Sequence, residues 1–137
     1  MSQSQIPASP WANPLIVPGI YLATITEVSS QPYGLNSGKY VRMVFWLPSV
    51  GKHLVSNLYF PNSQPDARTV KRLGGLCQQL GLAPQDIWES PKDFINRDVG
   101  IRVTKCVGVG VNAGTEYRDV GTFLSPDLVT KDGKVVV

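Results

Sequence analysis

The stretch Gly38-Lys39-Tyr40-Val41-Arg42-Met43-Val44-Phe45-Trp46-Leu47 alternates between two kinds of side chain with a period of two. Its odd-numbered positions from 41 to 47 are wholly apolar and predict a strand with one face in the core. Its even-numbered positions carry Tyr40, Arg42, Val44 and Trp46. Aromatic rings beside a cation are typical of surfaces that stack unpaired bases. Aromatic residues are also common on strands that pack under a loop or a second sheet, so this stretch alone leaves both interpretations open.

The composition is that of one soluble domain. The chain has 137 residues, of which 42% are hydrophobic and 17% charged, enough for a single core and ordinary for a globular protein. The net charge of +3 is unevenly spread, because no Asp or Glu lies between Glu27 and Asp66 while two lysines, an arginine and the only histidine do. We therefore expect one region of the fold to carry positive potential.

Cysteine and histidine are too few for a conventional zinc site. Cys77 and Cys106 are the only cysteines, and lone thiols of this kind are usually buried in a reducing cytoplasm. The N-terminal residues have neither the basic nor the apolar region of a signal peptide. No apolar run approaches the ~20 residues that span a bilayer. These features predict a soluble, intracellular protein.

No catalytic motif is recognisable. The segment Gly34-Leu-Asn-Ser-Gly38-Lys39 is one residue short between its glycines for a phosphate-binding loop, and Tyr40 stands where Ser or Thr would hold magnesium. Gly108-x-Gly110 joins two predicted strands and does not open a helix. His53 has no nucleophile nearby in the sequence, and the carboxylates are scattered. We expect no enzyme activity, no cofactor and no metal.

The chain divides into three parts. Residues 1–17 form a proline-rich arm that either docks on the domain or a partner chain or remains a free tail. Residues 18–126 form the domain, and residues 127–137 form a tail in which Lys134-Val-Val-Val137 is a candidate edge strand. Within the domain the pattern predicts strands at about 20–28, 38–47, 52–60, 98–107 and 116–124, a helix that ends at Gly81, and helical turns over 82–96.

The predicted helix has two distinct faces. Its apolar stripe consists of Val70, Leu73, Cys77 and Leu80. A basic face carries Arg68, Lys71 and Arg72, which is typical of a solvated surface but also compatible with contacts to phosphates. The helical turns that follow supply three large apolar side chains predicted to plug one end of the core: Trp88, Phe94 and Ile95.

Three strands, a helix and two strands follow one another in the order of the OB-fold, a five-stranded Greek-key barrel with a helix between strands three and four. In that fold strands two and three carry the ligand face, flanked by the loops between strands one and two and between strands four and five. Here the corresponding loops are residues 29–38 and 108–115. The aromatic and basic residues of the opening stretch therefore fall on the expected ligand face.

Several segments resemble phage-type single-stranded-DNA-binding proteins. They are Pro18-Gly-Ile-Tyr-Leu-Ala-Thr-Ile-Thr-Glu27, Ser37-Gly-Lys-Tyr40, Leu73-Gly-Gly-Leu-Cys-Gln-Gln-Leu-Gly81, Ser90-Pro-Lys-Asp-Phe94, Val99-Gly-Ile-Arg-Val103 and Glu116-Tyr117. The resemblance spans roughly residues 18–124 and implies an OB-fold protein of DNA replication or recombination, in the cytoplasm of a bacterial or phage-infected host cell. It explains neither the arm nor the C-terminal residues, which lack the acidic tail that many such proteins use to recruit partners.

The predicted function is binding of single-stranded DNA with little sequence preference. Tyr40, Trp46 and Tyr59 are expected to stack on bases. Lys39, Arg42 and Arg102 are expected to hold phosphates, and Tyr33 and Lys105 lie where the two loops would close over the strand. The alternatives are a module that binds protein or another copy of itself, and a binder of RNA or oligosaccharide on the same barrel. The resemblance also leaves open partners among replication or recombination proteins.

Overall fold

The computed structural model describes residues 6–32, 39–60, 66–108 and 110–129. The strands are β1 (Gly19–Pro32), β2 (Lys39–Leu47), β3 (Lys52–Phe60), β4 (Asp98–Val107) and β5 (Glu116–Leu124). The helices are α1 (Ala67–Leu80) and α2 (Asp86–Glu89), with 3-10 turns at Pro10–Ala12, Pro91–Phe94, Gly110–Asn112 and Pro126–Leu128. The strands form one antiparallel sheet in the order β3-β2-β1-β4-β5. The protein is therefore mostly β, with an open five-stranded sheet that is compatible with a barrel-like fold.

The phase of β2 and β3 is as the sequence predicts. Every odd-numbered residue of β2 from 41 to 47 is at most 1% exposed, and their partners on β3 at positions 54, 56 and 58 are buried as well, whereas Lys52, the partner of Leu47, is exposed. Ser56, the one polar residue among the three buried partners, donates a hydrogen bond to the Asp119 carboxylate at 2.7 Å. On the outer face Val44, Val55 and Asn57 are buried, whereas Arg42 and Trp46 are partly exposed.

Strand β1 is longer than predicted, and the predicted loop at 29–38 is wrong for residues 29–32. These residues continue the ladder with β2 until Pro32 lies opposite Lys39. Local turn propensity favours a loop there, but the backbone hydrogen bonds of a two-stranded hairpin outweigh it. A bulge between Ile25 and Glu27 lets the first half of β1 pair with β4 and the second half with β2, because a bulge bends and twists its strand.

Helix α1 begins and ends at recognisable caps, but its buried face differs from the prediction. The Asp66 carboxylate accepts a hydrogen bond from the Thr69 N–H at 2.8 Å, and Gly81 closes the helix in the left-handed conformation at φ 70°. Val70 is 55% exposed, whereas Arg72 is only 4% exposed. The predicted apolar stripe is therefore wrong at Val70, and the predicted basic face is wrong at Arg72, which points into the protein.

The ends of the core are closed by residues from several segments. Phe94 is fully buried, as predicted, but Trp88 is 38% exposed and packs its ring edge-on against Phe60 at a centroid distance of 4.7 Å. Elsewhere the Val129 side chain packs directly on Gly100. A side chain at position 100 would place its Cβ atom only 2.7 Å from the Val129 side chain. The predicted edge strand at 134–137 lies outside the described residues. None of the described helices is long and apolar enough to cross a membrane.

The N-terminal arm, of which residues 6–17 are described, docks on the sheet where β3 and β5 lie close to each other, a place that we call the seam. Docking on the domain is one of the alternatives that the sequence left open. The Asn13 side chain donates to the Val55 carbonyl and accepts from the Val55 N–H, both at 2.8 Å, and also donates to the Arg118 carbonyl of β5 at 2.8 Å. Its amide thereby exchanges the pair of hydrogen bonds that a residue of a neighbouring strand would make. Arg118 adds a second connection, because its Nε donates to the Ile16 carbonyl at 2.6 Å.

A buried ionic cluster holds α1 to the same seam. Arg72 of α1 donates to the Ser56 hydroxyl at 2.7 Å and the Asn57 carbonyl at 2.6 Å, and lies 3.4 Å from the Asp119 carboxylate of β5. Burial lowers the pKa of the Arg72 guanidinium, and the neighbouring Asp119 carboxylate opposes that shift. Asp119 also accepts from the Val120 N–H at 2.7 Å. This cluster joins the two edge strands of the sheet through side chains.

Candidate functional site

The outer face of β2 and β3 consists of four pairs of directly opposed residues. They are Tyr40 with Tyr59, Arg42 with Asn57, Val44 with Val55, and Trp46 with His53. The phenol rings of Tyr40 and Tyr59 lie 5.9 Å apart, and the rings of Trp46 and His53 lie 4.7 Å apart. The face therefore presents an aromatic pair at each end, and Arg42, Asn57 and two valines lie between them.

The N-terminal arm covers the middle of this face. The Arg42 guanidinium donates to the Pro7 carbonyl at 2.7 Å, and its Nε lies 3.9 Å from the Glu27 carboxylate. The Asn13 amide is bonded to Val55, which is buried together with Val44. The predicted phosphate contact at Arg42 is thus occupied by a backbone carbonyl while the arm is docked.

The first residue of β2 is an exposed cation. Lys39 lies at the start of β2 with its ammonium 4.9 Å from the centre of the Trp88 ring, a distance typical of a cation–π contact. The sequence predicts Trp88 in the core and gives no sign of its place beside Lys39. Because successive side chains of a strand point to opposite faces, Lys39 and Trp88 lie on the side of Phe60, and Tyr40 and Tyr59 lie on the outer face. We call the partly exposed pair Tyr40 and Tyr59 the aromatic end.

The remaining predicted residues are dispersed. Trp46 lies at the opposite end of β2 from Tyr40, and Arg102 is exposed on β4, which β1 separates from β2. Lys105, also on β4, pairs with the Glu116 carboxylate at 3.2 Å. Hydrogen bonds from Arg118 and from Lys105 lower the pKa of Glu116. Tyr33 lies outside the described residues.

Two further aromatic residues, which the sequence did not predict as part of the site, lie near Tyr59. The rings of Trp11 of the arm and Tyr117 of β5 are in contact, with centroids 4.3 Å apart and planes tilted by 46°. Both line the same surface depression as Tyr59. The only signal in the sequence was the apolar character of Trp11 in an otherwise polar, proline-rich segment, which did not reveal where the arm would lie.

The two cysteines differ in environment, and their reactivity should differ accordingly. Cys77 is 2% exposed, and burial, with a smaller contribution from Asp86, raises the pKa of its thiol to about 11. Since the thiolate is the reactive form, we expect Cys77 of the native protein to resist a thiol reagent at pH 8. The Cys106→Ser variant should show no fast-reacting thiol before denaturant is added and one afterwards. A fast thiol in that native variant would contradict the burial of Cys77.

Among the described residues no group of three His, Cys, Asp or Glu side chains is placed to hold a metal ion. Comparisons with protein-family models, with curated proteins and with solved structures found no match for this chain.

Proposed function

We propose that this protein is a non-catalytic, OB-type protein that binds single-stranded DNA with little sequence preference. The observation that carries the proposal is the aromatic end, where two partly exposed tyrosine rings on adjacent strands lie 5.9 Å apart on the outer face. Base stacking on such rings needs no particular base, because every base has a flat π-face. A role in replication or recombination follows from the sequence resemblance alone.

The OB-fold is part of the same proposal. In that barrel the first strand pairs with both the second and the fourth, as β1 does with β2 and β4. Closure would bring the edges of β3 and β5 together, and the Asn13 amide and the Arg72–Asp119 pair connect those two edges. In this interpretation the docked arm supplies part of the barrel closure.

The test is fluorescence anisotropy with a labelled oligo-dT of ~30 nucleotides, longer than the ~4–16 that one OB-fold covers. Duplex DNA and RNA of equal length serve as controls, each at several salt concentrations. With about three or four phosphate contacts we expect the logarithm of the affinity to fall with a slope of about −2 to −3 per logarithmic unit of salt. Equal binding of the duplex, or no binding at low salt, would refute the proposal.

Substitutions of Tyr40 test whether the single strand binds at the aromatic end. Tyr40→Ala should weaken binding of the single strand by about 5- to 150-fold, equivalent to the roughly 1–3 kcal/mol of one stacked base. Tyr40→Phe keeps the ring and should bind like the native protein. Thermal unfolding of both variants shows whether the fold is intact. If both substitutions leave the affinity unchanged, the single-stranded DNA does not bind at the aromatic end.

A second candidate function is self-association through the arm. It is favoured by Leu15 and Val17, which are 60% and 74% exposed on a segment that is otherwise docked. Exposed apolar side chains that lie close together often mark contacts between proteins. If the anisotropy experiment shows no binding and light scattering shows an oligomer that Leu15→Ser dissociates, self-association is the better explanation.

A further inference from the structure

Residues 6–12 of the arm, which we call the latch, lie over Arg42 on the outer face. The Arg42 guanidinium donates to the Pro7 carbonyl at 2.7 Å, and Pro7 itself is buried. The Arg42 side chain is only 25% exposed, although it lies between the two aromatic pairs of the face that we propose for DNA. The docked latch therefore restricts the access of a bound strand to this cation.

Few contacts hold the latch on the domain. Within the described part of the chain, the bond from Arg42 to Pro7 is the only hydrogen bond between the latch and the domain. The rings of Trp11 and Tyr117 add one aromatic contact. By contrast, three hydrogen bonds of 2.8 Å hold Asn13 at the seam. The latch can therefore leave the outer face while Asn13 keeps its place.

The latch also fits the domain loosely. The surface depression beside Tyr59 is a cavity of about 150 Å³ that lies between Pro10 and Trp11 of the latch and Arg68 and Tyr117 of the domain. Side chains that face a gap lose the van der Waals contacts that close packing would provide. Trp11 also remains 43% exposed. The docked position is therefore only modestly favoured, and the loss of one contact should release the latch.

Arg42 is incompletely satisfied while the latch is docked. Its Nε is buried without a hydrogen-bond partner among the described residues, and the Glu27 carboxylate lies 3.9 Å away. A neutral carbonyl such as that of Pro7 is a weaker acceptor for a guanidinium than a phosphate, which carries charge and paired oxygens. The Glu27 side chain is 43% exposed, so its attraction for Arg42 is weak. A released Arg42 therefore favours a phosphate as its partner.

Resting on the proposed function, we propose that the latch is autoinhibitory: while docked it keeps Arg42 from the bound strand, and its release adds one phosphate contact. Tyr40 and Arg42 lie two positions apart on the same face of β2, about 7 Å along the strand. A strand that stacks on Tyr40 therefore carries a phosphate within reach of Arg42 once the latch is open. The aromatic end stays partly exposed under the docked latch, so the latch lowers the affinity for DNA without abolishing it.

The first test opens the latch. Trp11→Ala removes the ring contact with Tyr117, and thermal unfolding shows whether the fold is intact. We expect the slope of oligo-dT affinity against salt to steepen by about 0.7, the contribution of one phosphate on a single strand. The ratio of variant to native affinity should accordingly be about eightfold larger at ~50 mM than at ~1 M salt. A native slope in Trp11→Ala, with or without weaker binding, would overturn the inference.

Arg42→Gln is the matched control, because it removes the cation that the latch covers. In this background Trp11→Ala should leave the slope where Arg42→Gln alone puts it. If Trp11→Ala steepens the slope in both backgrounds, the added phosphate contact is not made by Arg42. If Arg42→Gln alone makes the slope shallower by about 0.7, Arg42 already contacts a phosphate under the docked latch. Either result contradicts autoinhibition through Arg42.

The second test follows the latch itself. A variant with Trp46→Phe and Trp88→Phe keeps Trp11 as its only tryptophan, so acrylamide quenching of its fluorescence reports whether the latch is docked. Saturating oligo-dT should leave this quenching unchanged. Stronger quenching would mean that the strand opens the latch unaided, and weaker quenching would mean that the strand covers Trp11; both outcomes overturn the inference while the proposed function stands. If neither the native protein nor Trp11→Ala binds any strand, the proposed function itself fails.

Discussion

Arg72→Ala is expected to lower the free energy of unfolding by roughly 3–5 kcal/mol, the cost of removing one partner from a buried ion pair. Asp119 would then be a carboxylate only 5% exposed, and Arg68, whose side chain is 51% exposed, would be the remaining cation beside it. The Asn57 carbonyl would lose its 2.6 Å hydrogen bond as well. Since one domain commonly has only about 5–15 kcal/mol of stability, this variant should be barely folded.

The measurement is urea unfolding followed by circular dichroism, with a double variant as control. Arg72→Met combined with Asp119→Leu removes both charges and fills a similar volume, so we expect it to be clearly more stable than Arg72→Ala. Recovery in the double variant would show that the unpaired carboxylate causes the loss. If the free energy of unfolding of Arg72→Ala lies within about 1 kcal/mol of that of the native protein, the Arg72–Asp119 ion pair is not buried in solution.

The strands could be predicted because their patterns are local. Apolar residues at every second position of β2 and β3 can satisfy a half-buried sheet in only one phase, since a slip by one residue would place Arg42 in the core. The bounds of β2, β3, β4 and β5 agree with the prediction to within one residue for the same reason. Strand β1 was predicted too short because its last residues are stabilised by pairing with β2 and not by their own propensity.

The errors at the helix and at the candidate site have a different origin. The periodicity of α1 places Arg72 with the basic residues, and only its buried partners, one of them 47 positions away, explain why it faces inward. Asn13 and its acceptor on β5 are 105 positions apart. Contacts over such distances leave no periodic signal in one sequence. The aromatic residues of β2 and β3 were therefore predictable, but the arm that covers Arg42 and the cavity beside Tyr59 were not.

Asn13→Ala is expected to lower the free energy of unfolding by roughly 2–4 kcal/mol, because it leaves the Val55 N–H and one or more carbonyls unpaired at the seam. Asn13→Asp should be worse, because a carboxylate would face the carbonyls of Val55 and Arg118 without a hydrogen to donate. Leu15→Ala, in the same arm but 60% exposed, should stay within about 0.5 kcal/mol of the native protein. Urea unfolding of the three variants compares them directly.

The same substitution also separates two roles of the arm. An arm that Asn13 no longer holds should release the Arg42 guanidinium from the Pro7 carbonyl and so add a cation to the face that binds DNA. In conditions where Asn13→Ala remains folded, the slope of affinity against salt should steepen by about 0.7, the contribution of one more phosphate contact on a single strand. An unchanged slope with lower stability would mean that the arm closes the seam without restricting Arg42. A loss of binding would instead assign the arm, with Trp11, to the ligand surface itself.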